Sequence, residues 1–170
     1  MLYVSTVDSG NLAGHLLTLR GGLLGLADEP ILTTRLFGGL GDTLGLLADS
    51  VDEADAGTAA AFRKDLEAAV AAPPETLAAL RLVLLRLLVG SGELLAGTAA
   101  RLKNRDEMLP ENEANEWALA LARQLDDVLA ELEQLTPWLT LPPAPDGLEV
   151  YARMAADLIV PTLRLSLIHI

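Results

Sequence analysis

EANEWALALARQLDDVLAELEQL, residues 113–135, is the stretch whose reading decides the fold. Trp117, Leu121, Leu125, Val128, Leu132 and Leu135 recur in it at steps of three and four. That spacing stacks side chains on one face of an α-helix. Arg123, Asp126, Asp127 and Glu131 fall between them, with Asp126 and Asp127 read as a solvated turn. Pro137 stops the helix, because proline has no N–H to continue the ladder. Leu and Ala dominate the apolar content of the whole chain, and both are good helix formers that pack between helices. Alternating runs of Val, Ile, Thr, Tyr or Phe are lacking, so no sheet is expected. The fold class expected is all-α, a helical bundle.

Working outward, five more helices are expected. The first spans about Gly10 to Ala27, with Asp8 or Ser9 as its cap and Asp28-Glu29-Pro30 as its end. The second runs from about Thr34 to Asp49, and a polar linker, Ser50 to Thr58, follows. The third covers Ala59 to Ala71, with an apolar stripe of Phe62, Leu66, Ala69 and Val70. Pro73-Pro74 breaks the chain, and Pro74 suits the start of the fourth helix. That helix extends to about Leu102, with a possible break at Gly90-Ser91-Gly92. Lys103 to Glu107 and Pro110 connect it to the 113–135 helix. The loop from Leu141 to Gly147 is rich in proline, and the sixth helix runs from near Leu148 towards Pro161. Eight glycines lie in the first two helices, from Gly14 to Gly45. They serve close helix–helix approach, or they leave these helices weak and dependent on neighbours.

The formal net charge of −12 argues against nucleic acid, whose binding needs cations that displace counterions. It argues equally against an anionic membrane surface. There is no cysteine, which excludes disulfides and thiolate metal sites. The most apolar helical stretch, Leu77 to Val89, carries Arg81 and Arg86, so no direct membrane span is expected. No signal peptide is read at the N-terminus.

Tyr3-Val4-Ser5-Thr6-Val7-Asp8-Ser9-Gly10-Asn11-Leu12-Ala13-Gly14-His15-Leu16 resembles, nearly residue for residue, a segment of the bacterial cyclic β-1,2-glucan synthases. Arg35 to Leu47, Trp117 to Gln124 and Pro137-Trp138-Leu139 are further patches similar to that family. Gln is expected where Gly21 stands, and a larger residue at Gly39 or Gly41. The resemblance implies that residues 1–164 are part of a middle, glycoside-hydrolase-like region. There an α/α toroid closes β-1,2-glucan into a ring by transglycosylation. It implies a larger parent at the cytoplasmic face of the bacterial inner membrane, whose glycosyltransferase region takes UDP-glucose as donor. The partners implied are the β-glucan substrate and the rest of the same polypeptide. No cofactor and no metal are expected in the chain itself, and the chain alone is expected to be inactive.

Asp8 is the residue with chemistry. A carboxylate at a loop-to-helix junction hydrogen-bonds sugar hydroxyls, or it caps the helix and favours its positive end. Ser9 and Asn11 add short polar partners, and the resemblance implies substrate binding for Asp8, Ser9 and Asn11. Neither general acid nor nucleophile is assigned. Glycosidases canonically use two carboxylates about 5–9.5 Å apart, and no second one is identified. His15 lies two turns after Asp8 on nearly the same face and reads as structural. Glu113, Glu116 and Trp117 form a sugar platform, or Trp117 is core and the acids favour the helix N-terminus. A free-standing acidic helical interaction module is the competing function.

Leu165-Ser166-Leu167-Ile168-His169-Ile170 looks like the translated read-through of a common sequencing adapter, so residues 165–170 are expected to be non-native. A short apolar tail of a genuine helix is the other reading. Amplification of the locus from source DNA is expected to give codons that depart from this tail. Genomic codons that encode the same tail and continue past Ile170 would overturn the expectation.

Overall fold

The computed structural model describes residues 6–28, 32–33, 35–51, 53–102, 109–158 and 160. Among them the chain is all-helical. The helices are α1 (Thr6–Asp28), α2 (Arg35–Ser50), α3 (Glu53–Ala71), α4 (Leu77–Leu102), α5 (Leu109–Leu135) and α6 (Glu149–Ala156). A 3-10 turn, Pro137–Thr140, lies between α5 and α6. The chain divides into two units, and α1 belongs to a different one from Thr33–Val160.

Residues Thr33–Val160 build a four-helix bundle. α2 packs on α3, α3 on α4, α4 on α5, and α5 closes the ring on α2. Antiparallel order follows from the side-chain pairs across α4 and α5. Arg81, early in α4, pairs with Glu133, late in α5, at 2.7 Å. Thr98, late in α4, meets Asn115, early in α5, at 3.2 Å. Short connections between α2, α3 and α4 fit an up-down-up-down topology. Each helix contributes one stripe to the core. Phe37, Leu40, Leu44 and Leu47 come from α2, and Ala59, Phe62, Leu66 and Ala69 from α3. Leu77, Leu80, Leu84, Leu87 and Leu94 line α4, and Ala114, Ala118, Leu121, Leu125, Leu129 and Leu132 line α5.

Several expected boundaries move. α1 begins at Thr6, so Asp8 sits inside the first turn and is not its cap. α3 begins at Glu53, and most of the expected 50–58 linker is helix. Its Ala-rich composition sustains helix without large apolar anchors. α4 begins at Leu77 instead of Pro74. Thr76 caps it, its hydroxyl oxygen accepting the Ala79 N–H at 3.2 Å. Pro110 lies in the first turn of α5, where a missing N–H costs nothing. The expected connection 103–107 lies outside the described residues. α6 ends at Ala156, well short of Pro161.

The break expected at Gly90-Ser91-Gly92 does not occur, and α4 runs through it. A Cβ on Gly90 would stand 3.1 Å from Phe62 Cδ2, so the ring of α3 occupies the room that glycine leaves. Ser91 is buried and its hydroxyl donates to the Leu88 carbonyl at 2.8 Å. In the third stripe Val70 is exposed, because Ala59-Phe62-Leu66-Ala69 already fills the inward face. Trp117 and Val128 are half-buried at the flank of α5, while Ala118 and Leu129 lie on its seam.

Gly90 and Gly92 separate packing from propensity. Nothing lies within 4 Å of a Cβ on Gly92, so Gly92→Ala is expected to stabilise the bundle by roughly 0.4–1 kcal/mol. Gly90→Ala is expected to gain less, because Phe62 must shift. Leu84→Ala removes a fully buried side chain and is expected to cost about 2–5 kcal/mol. Urea denaturation of the three variants measures all three shifts.

Candidate functional site

At the end of the bundle where α5 stops and α4 starts, the chain folds back into a capping layer. Pro137 turns α5 into the 3-10 segment, and Trp138 Nε1 donates to the Ala155 carbonyl of α6 at 3.3 Å. Pro142, Pro143 and Pro145 restrict the loop that follows. Gly147 then adopts φ +88°, a conformation open to glycine at no steric cost. After α6 the chain returns to the start of α4. The Leu77 N–H donates to the Leu158 carbonyl at 2.8 Å, and the Val160 N–H to the Glu75 carbonyl at 2.9 Å.

This layer encloses a cleft of about 550 Å³. Trp138, Leu139, Leu141, the three prolines and Leu148 line it, together with Tyr151 and small residues of α6 and Ala78 of α4. A shallower groove of about 360 Å³ lies between α2 and α3, with Arg63 and Glu67 as its charged groups. Glu149 fixes the turn before α6. Its carboxylate accepts the Gly147 N–H at 3.1 and 3.0 Å. The bond from its own backbone N–H, and then that from Gly147, hold this carboxyl below the usual glutamate range against a small opposing effect of burial.

The residues expected from the sequence belong to α1 and to the early part of α5. Asp8, Ser9 and Asn11 occupy the first turns of α1 and are exposed. Helical geometry brings Asp8, Asn11 and His15 to one face, while Ser9 points about 100° away. Trp117 Nε1 donates to Glu113 Oε1 at 3.4 Å. Its ring is half-buried, between the core and the platform readings. Because α5 begins at Leu109, Glu113 and Glu116 lie beyond its first turn and do not serve its N-terminus. Among the described residues no group of three or more His, Asp or Glu side chains could hold a metal ion.

The cleft escaped sequence reasoning. Its signal was there: Leu148, Tyr151, Ala152 and Ala155 recur at three- and four-residue steps along α6, after an aromatic and three prolines.

The bonds to Glu149 exist for its charged form. Their ordering of the turn is therefore complete at and above the ordinary glutamate range, and is lost as pH falls through the lowered value. The Gly147 amide proton is expected to titrate with a midpoint below that ordinary range, and Glu149→Gln to abolish the titration. An NMR pH series on the amide resonances checks both.

No protein-family model matches the chain, and no match is found among curated proteins or solved structures.

Proposed function

We propose that the chain is a segment of a bacterial cyclic β-1,2-glucan synthase, in the helical region that closes β-1,2-glucan by transglycosylation. The Ser5–Ala13 block, Ser-Thr-Val-Asp-Ser-Gly-Asn-Leu-Ala, carries this reading. Helix propensity alone does not call for that order of polar residues and glycine. An all-helical chain with antiparallel α4 and α5 is compatible with a sector of an α/α toroid. Asp8 and Asn11, exposed near the start of α1, offer an anionic acceptor and an amide to sugar hydroxyls. In the parent, Asp8 would orient glucan and leave proton transfer to carboxylates elsewhere. UDP-glucose would be consumed by another region. The parent would sit at the cytoplasmic face of the inner membrane. Among the described residues no helix is long and apolar enough to cross a membrane.

A second reading, an acidic helical interaction module, is favoured by the apolar cleft between Trp138 and α6. The coding sequence upstream of Met1 separates the two. An open frame continuing into glycosyltransferase sequence supports the synthase; a stop followed by a ribosome-binding site supports the module.

Asp8→Asn in the intact parent enzyme distinguishes substrate contact from helix-end electrostatics. Asn keeps the size and hydrogen-bonding capacity of the side chain and removes the charge. Charge-assisted hydrogen bonds are about twice as strong as neutral ones, so the ratio of cyclic to linear glucan made from UDP-glucose is expected to fall. The melting temperature is expected to hold, since one exposed carboxylate at a helix N-terminus contributes about 0.3–1 kcal/mol. An unchanged ratio with unchanged melting would reduce Asp8 to scaffolding.

A further inference from the structure

Asp146-Gly147 is the only Asp-Gly pair in the sequence, and no Asn-Gly pair occurs. It sits in the turn that carries the chain into α6, and Asp146, Gly147 and Glu149 are exposed. An aspartate side chain places its carboxyl carbon where the next backbone nitrogen can close a five-membered ring on it. Two things usually prevent this. A side chain on the following residue crowds the nitrogen, or a helix commits its N–H to the ladder. Asp42, Asp49, Asp65, Asp126 and Asp127 lie inside helices. Asp157 stands at the C-cap of α6 and is followed by Leu158, whose side chain crowds the nitrogen. Asp146 has neither obstacle. Gly147 has no Cβ, and its φ of +88° favours glycine there, so the turn itself calls for the residue that leaves the nitrogen unhindered.

A different restraint acts on this nitrogen. The Gly147 N–H donates to both carboxylate oxygens of Glu149, at 3.1 and 3.0 Å. Attack requires the nitrogen to give up that proton. The negative charge left behind would develop beside a carboxylate, and like charges disfavour it. Glu149 is also a poor base for the step. Its own backbone N–H, and then that of Gly147, hold its carboxyl below the usual glutamate range, so its affinity for the proton is low.

We infer that Asp146 is a site of spontaneous isoaspartate formation, and that Glu149 restrains the reaction by holding the Gly147 N–H. The Gly147 nitrogen bonds to the side-chain carboxyl carbon of Asp146 in its acid form. One carboxyl oxygen leaves as water, with the acid proton and the amide proton. The cyclic imide then takes up water. Opening at the side-chain carbonyl restores aspartate; opening at the main-chain carbonyl gives isoaspartate, with the main chain running through the side-chain methylene. The net change is an isomerisation that needs only water. It lengthens by one carbon the turn that the Leu148 N–H closes on the Pro145 carbonyl at 3.0 Å, so the entry to α6 carries the consequence.

The experiment ages the full 170-residue chain beside its Glu149→Ala variant at neutral pH. Cleavage after Arg123 and Arg153 isolates residues 124–153, which hold Asp126, Asp127 and Asp146. Isoaspartate elutes as a second peak of unchanged mass and the imide as a peak lighter by one water, and electron-transfer fragmentation places the change. The unaltered chain is expected to accumulate isoaspartate at Asp146 ahead of Asp126 and Asp127. Glu149→Ala is expected to do so severalfold faster, with unchanged circular dichroism. Glu149→Gln keeps an acceptor oxygen without the charge and is expected to fall between them. Asp146→Glu, which would need a six-membered ring, is expected to abolish both peaks. In urea that unfolds the bundle, the unaltered chain and Glu149→Ala are expected to react at one rate, because the restraint belongs to the fold. Three results overturn the inference: no isoaspartate at Asp146 in either chain, equal rates in the two folded chains, or the same difference persisting in urea.

Discussion

The seam between α4 and α5 is the constraint on which the rest of the bundle depends. Both helices are long, and both bury a leucine-rich stripe that water would otherwise cover. Leu77, Leu84, Leu87, Leu94, Leu121, Leu125 and Leu132 are essentially inaccessible. Burial of a leucine side chain contributes about 1.5–3 kcal/mol, so this seam outweighs any polar contact the bundle makes. Polar pairs fix its register. Thr98 with Asn115 marks one end and Arg81 with Glu133 the other. The ion pair is partly exposed and contributes at most about 1 kcal/mol. A shift of one turn would part both pairs together.

The other two helices attach by the same logic with less apolar material. α3 is short of large side chains and holds to α4 through Phe62, whose ring lies against Gly90. α2 buries Phe37, Leu40, Leu44 and Leu47 and reaches α5 through Thr43, whose hydroxyl donates to Gln124 Oε1 at 3.0 Å. The backbone carbonyl of Gly39 is 3.2 Å from the same hydroxyl, so Thr43 keeps a partner within its own helix. Buried polar groups in this core therefore have acceptors near them, and none disrupts the seam.

The fold was legible because period and composition agreed. Leu and Ala at three- and four-residue steps leave no alternative to helix, and prolines and turn residues bracket each segment. Boundaries were less legible, because ends depend on caps and neighbours. Pro74 suggested a start that Thr76 in fact provides. Two glycines suggested a break where tertiary contact with Phe62 sustains the helix. The inward stripe of α5 was read through Trp117 and Val128, since size draws attention, while the smaller Ala118 and the neighbouring Leu129 occupy the seam. Small residues let helices approach, and sequence reading underrates them.

The two candidate sites differ in how they could be read. Asp8, Ser9 and Asn11 stand out by order along the chain, a one-dimensional signal that needs no tertiary structure. The Trp138 cleft is three-dimensional. Its walls come from a 3-10 turn, a proline loop, α6 and the first turn of α4, gathered only because backbone bonds return the chain from Leu158 and Val160 to Leu77 and Glu75. The same bonds explain why so apolar a segment as 138–156 stays outside the core. The inward end of the bundle is already filled by Leu77, Leu80 and Leu132, so the returning chain can only lie over it. A layer held at its two ends, by the end of α5 and by the Leu158–Val160 return, keeps its middle open. The prolines at 142, 143 and 145 have no N–H to add backbone bonds to those that Leu141 and Leu148 already make.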